Sequence, residues 1–240
     1  MHMSHLQYLP LTLPFFGALV FIFLVLVALI EVGILRYAFM RLGIGPRVAM
    51  LLLFATLIGS YINIPITELP ARQVLAGQSI TYFGMRYTVP MIVEWPGTIV
   101  AVNVGGALIP LGLSIYLLAK HAIWGRGLIA IACVAAVCHI LAYPVHGVGI
   151  AVPIFVPPLA AAIIAIVISR DYAAPLAYAG GSLGTMVGAD LLNLDKVQGL
   201  GAPVASIGGA GTFDGIFLTG ILAVLLASIS QPELRQREAR

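Results

Sequence analysis

Charge is what this sequence has least of. Only 9% of its 240 residues are Asp, Glu, Lys or Arg, against about a quarter in soluble domains. That scarcity excludes an ordinary hydrated surface, and no stretch is polar enough to form a separate soluble domain. Cysteine is nearly absent as well. Cys133 and Cys138 share one apolar segment with neither CxxC nor metal-ligand spacing. They are read as two small buried hydrophobes, not as a disulfide. Also missing are G-x-x-x-x-G-K-[ST], H-E-x-x-H and G-x-S-x-G, which removes nucleotide, zincin and serine-hydrolase chemistry and leaves no cofactor to expect. The formal net charge of +3 is scattered over short connections, so it does not signal nucleic acid.

What the chain has instead is apolar length. It is 61% hydrophobic with a mean hydropathy of +1.07, and runs of about 20 apolar residues recur throughout, the signature of transmembrane helices. Seven spans are expected: Leu11 to Met40, Pro46 to Ile66, Gly97 to Leu118, Gly127 to Val145, Ile150 to Ser169, Ala173 to Leu194 and Phe213 to Ser230. The first lacks a preceding basic region and is too long for a cleaved signal core. The expected fold is therefore all-α: one polytopic membrane domain over residues 1–240, with about seven transmembrane helices and the lipid bilayer as its main partner.

The basic residues supply a direction. Arg36, Arg41, Arg47, Lys120, Arg126, Arg170, Arg235, Arg237 and Arg240 fall in the connections after spans one, three and five and in the C-terminal tail. Only Arg72, Arg86 and Lys196 fall on the other side. Positive residues collect in the cytoplasm, so the N-terminus is expected outside and the C-terminus inside. The long connection, residues 67–96, holds ITY and RYTV around Phe-Gly-Met. It reads as a small external β-hairpin with interfacial aromatics.

Ionisable groups within a membrane mark function by default. With this topology, Asn63, Asn103, His139, Tyr143, His146 and Asn193 reach one level, the outer third of the bilayer, as do Asp190 near the end of span six and Asp214 at the start of span seven. They are expected to line one polar cavity open to the outside. Gly180, Gly184 and Gly188, every fourth residue on span six, form a stripe that admits a neighbouring backbone. The Gly-rich connection between spans six and seven is too apolar for a hydrated loop and reads as partly re-entrant. Glu31, on the cytoplasmic half of span one, is read as structural, with an arginine or backbone partner.

Two carboxylates at one depth on consecutive antiparallel helices can share a proton and so provide a general acid and a general base together. Around the second of them, GTFDGIF (residues 211–217) resembles the GxGD motif of the presenilin and signal-peptide-peptidase intramembrane aspartic proteases. The resemblance implies that Asp190 and Asp214 are a catalytic pair acting on a transmembrane peptide. Phe213 and Ala189 depart from that family's pattern, which has glycine and tyrosine there. INIPI, VNVGGALIP, HGVGIAVPIFVPP, GADLLNL and SIGGAGTFDGIFLTG, spread over nearly the whole chain, resemble an uncharacterised bacterial and archaeal integral-membrane family, a domain of unknown function. That resemblance implies a prokaryotic cytoplasmic membrane and brings no activity.

Three other readings use the same residues. Broken, Gly-rich helix ends with carboxylate and Asn side chains suit an ion- or proton-coupled carrier. Asp190, Asp214 and His146 suit a divalent cation in chemistry, although their spacing matches no ligand signature and no metal is assigned. Asp214 also has the position of a helix cap. A homo-oligomer is compatible with all of these.

Overall fold

The computed structural model describes residues 13–31, 33–70, 72–82, 85–95, 97–145, 149–197, 200, 203–209 and 215–229, with backbone alone for 13–16, 30–31, 34–36, 72–82, 85–95, 215 and 217. Helix dominates. The α-helices are α1 (Leu13–Glu31), α2 (Ile34–Arg41), α3 (Pro46–Gly59), α4 (Ile109–Lys120), α5 (Trp124–Leu141), α6 (Val156–Ile168), α7 (Ala173–Ala179), α8 (Leu194–Val197) and α9 (Gly215–Ile229). The strands are β1 (Asn63–Leu69), β2 (Arg72–Tyr82), β3 (Met85–Trp95), β4 (Thr98–Asn103), β5 (Tyr143–Val145), β6 (Gly149–Ala151) and β7 (Val204–Ile207).

Each expected span contains a helix, but the spans are not unbroken. Span one divides at Gly33, whose φ of 91° ends α1 and restarts the chain as α2. Proline sits in the first turn of α3, α4 and α6, where its missing N–H costs nothing. Among the residues described with their side chains, only Trp124–Leu141 has the 18 residues and the apolarity needed to cross a membrane. Five other apolar helices are shorter, at 10–17 residues.

The all-α expectation is corrected at four places. The end of span two is β1, and span three opens as β4 before turning helical. Residues 204–207 form β7. A short antiparallel ribbon, β5–β6, joins α5 to α6. The order β1-β4-β7 makes one three-stranded sheet, antiparallel between β1 and β4 and parallel between β4 and β7. Thr98-Ile-Val-Ala-Val102 is rich in β-branched residues, and a short apolar run cannot be assigned to strand or helix by periodicity alone. Two partner strands decide it by supplying the backbone hydrogen bonds. Pro65 lies in β1, an edge strand, as proline in a sheet requires. The hairpin of residues 67–96 is present as β2–β3, with Tyr82 opposite Met85 and Ile80 opposite Tyr87.

The loops sort into two ends. Lys120 Nζ donates to the Gly43 carbonyl at 3.0 Å. The His121 and Tyr172 rings lie 5.7 Å apart, and the Arg126 guanidinium lies over Tyr172. The connections around residues 43, 121 and 171 therefore share one end, and it is the basic one. Tyr37 of α2 donates to Ser228 O at 3.4 Å, so α9 finishes there too.

Between the ends the core is mostly Ala and Leu. Gly180, Gly184 and Gly188 lie on a continuous helical run in which π-helical turns, Gly180–Gly184 and Met186–Asp190, follow α7. All three face α5. A Cβ at Gly184 would stand 2.6 Å from Val134 Cβ, and one at Gly188 would collide with the Ala135 carbonyl. On the outer faces, large apolar side chains stand open: Val167 is 80% exposed and Ile229 78%. Cys138 is buried beside Thr185. Cys133, expected to be buried, is exposed on α5, because its face turns away from the α7 run.

Candidate functional site

The end opposite the basic loops carries the polar groups. α3 stops at Gly59 because another backbone crosses it. A Cβ on Gly59 would lie 2.8 Å from Gly105 N, and one on Gly105 would meet the Thr56 carbonyl and lie 2.5 Å from Ser60 N. This contact between two glycines brings the start of β1 to the end of β4, where Asn63 and Asn103 are paired in register. Both are almost wholly buried.

Asn103 uses its whole amide. Its Oδ1 accepts Gly106 N–H at 2.8 Å and so caps the π-helical turn Val104–Leu108. Its Nδ2 donates to Ser60 O at 2.9 Å and to Asn63 Oδ1 at 3.1 Å. Ser206 of β7 donates to the same Asn63 oxygen at 2.6 Å. With two donors on Oδ1, Asn63 Nδ2 has no partner among the described groups. A buried donor in that state costs about 1–3 kcal/mol, so the pair carries unused hydrogen-bonding capacity.

Asp190 ends the π-helical run. One carboxylate oxygen, Oδ2, accepts the Gly208 N–H at 2.8 Å. Gly208 has φ +99°, and a Cβ on it would lie 2.6 Å from Ala107 N, so glycine is required both by conformation and by space. The carboxylate faces a cavity of about 90 Å³, whose wall includes Gly149, Ile150, Leu194, Ser206 and Gly209. Ser206 thus belongs both to this wall and to the Asn63–Asn103 network. Within the Gly-rich connection, residues 204–207 pair with β4 and the Gly208 N–H bonds Asp190.

The other candidates are dispersed. Asn193 is fully buried, but it donates to Gly188 O and Ala189 O at 2.8 and 3.0 Å and accepts from Lys196 at 2.7 Å. It closes the helix end and is not part of the cavity wall. His139 is partly buried near the end of α5, its Nδ1 buried without a partner. Tyr143 is exposed on β5. Asp214 and His146 lie outside the described residues, as does the side chain of Glu31. Ser60, Ser206 and Gly208 were not anticipated. The one signal for them was the Gly-Gly pair at 208–209, which marks a backbone turn but not its acceptor. Among the described residues no group of three or more His, Cys, Asp or Glu is placed to hold a metal ion.

One packing register bears on the acidic residues. A Cβ at Gly181 would contact Ala223 and Thr219, and one at Gly220 would contact Tyr178 and Ser182. Residues 178–182 therefore lie beside 219–223. α9 ends at the basic end and the run from α7 begins there, so the two are antiparallel. At about 1.5 Å per residue, Gly215 stands about 9 Å above the middle of this contact and Asp190 about 15 Å. The start of α9 and the Asp190 carboxylate are thus within about one helical turn in height.

A family described as a protein of unknown function (DUF1614) matches residues 57–226. The chain belongs to this family. The match begins inside α3 and ends inside α9, so Ser60, Asn63, Asn103, Asp190, Ser206 and Asp214 all fall within the family region, while α1 and α2 precede it. Neither the curated proteins nor the solved structures returned a match.

Proposed function

We propose that the chain is a membrane-embedded aspartic hydrolase, with seven membrane-crossing segments and with Asp190 and Asp214 acting together on a transmembrane peptide. The observation that carries the reading is the antiparallel register just described. It leaves the first residue of α9 within about one helical turn of Asp190 in height, and the Asp190 carboxylate faces a cavity. Two paired carboxylates share one proton, so that the ionised member draws a proton from water while the protonated one polarises the peptide carbonyl. The Gly208 N–H fixes one Asp190 oxygen and leaves the other for water or substrate.

Lipid as solvent is supported by the exposed apolar faces of α6 and α9, by the helix of membrane-crossing length and by the gathering of basic loops at one end. That end faces the cytoplasm of a prokaryotic cell under this reading, and the cavity opens outward.

A second reading, an ion- or proton-coupled carrier, is favoured by a different observation. Three helical segments break at the same end, at Ser60, at Asn103 and at Asp190, and discontinuous helices with polar breaks are how carriers build ion sites. One experiment separates the two. The full chain, reconstituted in liposomes, is assayed against a panel of transmembrane peptides beside Asp190→Asn and Asp214→Asn. A hydrolase gives cleavage that either substitution abolishes, together with a carboxylate separation of about 3 to 5 Å in an experimental structure. No cleavage, or a separation beyond about 8 Å, sinks the dyad, and uptake lost in Asp190→Asn then favours the carrier.

A further inference from the structure

The basic end holds a second, larger cavity unrelated to the acidic residues. It measures about 360 Å³ and runs between α3 and α4, with Ile44, Val48, Leu52, Leu113 and Tyr116 on its walls and Gly43 at its mouth. Its lining is almost wholly apolar, and several of its side chains are open to the surroundings: Val48 is 51% and Tyr116 52% exposed. A groove of this kind facing lipid is filled by acyl chain.

The mouth is positively charged. Lys120 Nζ is 3.0 Å from the Gly43 carbonyl and 5.6 Å above the Tyr116 ring, so two lining residues hold the ammonium at the rim. An ammonium has three donors, and one is spent on Gly43. Arg47, exposed in the first turn of α3 between the lining residues Gly45 and Val48, adds a second positive charge nearby. α3 also has no side-chain cap, so its positive end adds to the field there.

We infer that this groove is a binding site for an anionic phospholipid, with one acyl chain between α3 and α4 and the phosphate at Lys120. The inference rests on the membrane-embedded reading above and is independent of the dyad. A free phosphate has no use for the apolar walls, and an uncharged lipid has no use for the cation. Only an amphiphile with a negative head uses both. Basic pockets between membrane helices on the cytoplasmic side capture anionic head groups in this way.

The test is native mass spectrometry of the full chain released from nanodiscs of equal phosphatidylglycerol and phosphatidylcholine. The wild type is expected to retain phosphatidylglycerol over phosphatidylcholine by about fivefold. Lys120→Ala brings the two toward parity, and Val48→Trp, which fills an exposed groove position without entering the core, lowers retention of both. Inorganic phosphate added to the same sample leaves the lipid bound. Equal retention by the wild type, an unchanged preference in Lys120→Ala, or displacement by inorganic phosphate alone overturns the proposal. A chain that stays monodisperse without detergent and never enters the nanodisc overturns it too, and only that result also removes the membrane reading.

Discussion

Asn103 donates to Asn63 across the β1–β4 pair at 3.1 Å, with each residue directly opposite the other in register. The bond joins the point where α3 gives way to a strand to the point where β4 gives way to a helix. It holds together two breaks that hydropathy alone would have drawn as continuous spans.

Asn103→Ala should therefore be costly. It removes the cap on Gly106 N–H and the bonds to Ser60 O and Asn63 Oδ1. A lost cap is worth about 1 kcal/mol and a buried group left unpaired about 1–3. The expected loss is about 2–3 kcal/mol, read as a lowered denaturation midpoint in detergent. Asn63→Ala, whose own Nδ2 is already unpaired, should cost less. Equal costs would mean that the cap does not matter.

Two glycines of one helical stretch give a matched pair. Gly105→Ala drives a methyl into the Thr56 carbonyl and Ser60 N, whereas nothing lies within 4 Å of a Cβ at Gly112. Backbone cannot give way as a flexible side chain can, so Gly105→Ala should prevent a stable fold or lower the melting temperature sharply. Gly112→Ala in α4 should be neutral or stabilise by up to about 1 kcal/mol. Thermal melts of the two purified variants decide it, and similar behaviour would contradict the close approach of α3 to residue 105.

The exposed Cys133, midway along α5, reports its solvent. In a Cys138→Ser background, a bimane on Cys133 reconstituted in liposomes should be quenched by nitroxide lipids and not by aqueous iodide. Quenching by iodide alone would place the α5 face in water and remove the best membrane-crossing helix.

At the basic end, burial first and the neighbouring Lys120 charge second push His121 below its ordinary value of 6.5. A depressed histidine favours the neutral form in the folded chain, so its contribution to stability is present above pH 6.5 and lost as pH falls through its folded value. The His121 NMR titration should have a midpoint below 6.5, and Lys120→Gln should move it part of the way back. A midpoint above 6.5 would contradict the placement of His121 between Lys120 and Tyr172.

The amino-acid sequence by itself determined the class. So few charges and so many apolar runs point to a mostly helical, apolar chain, and the helix in each run follows from local propensity and from proline in the first turns of α3, α4 and α6. The β2–β3 hairpin was legible for the same local reason, because turn residues and β-branched residues act over a few positions. The Asn63–Asn103 meeting was half legible: the expected alternation of spans put both side chains at one level, but nothing in one dimension says which neighbour stands beside which. Only the tertiary structure decided that residues 98–103 and 204–207 are strands and that Ser206 and Gly208 serve Asn63 and Asp190. Those outcomes depend on hydrogen-bond partners distant in the chain. A strand next to another strand, or a carboxylate next to a free N–H, is stable only once packing at Gly59, Gly105 and Gly188 has brought the backbones that close.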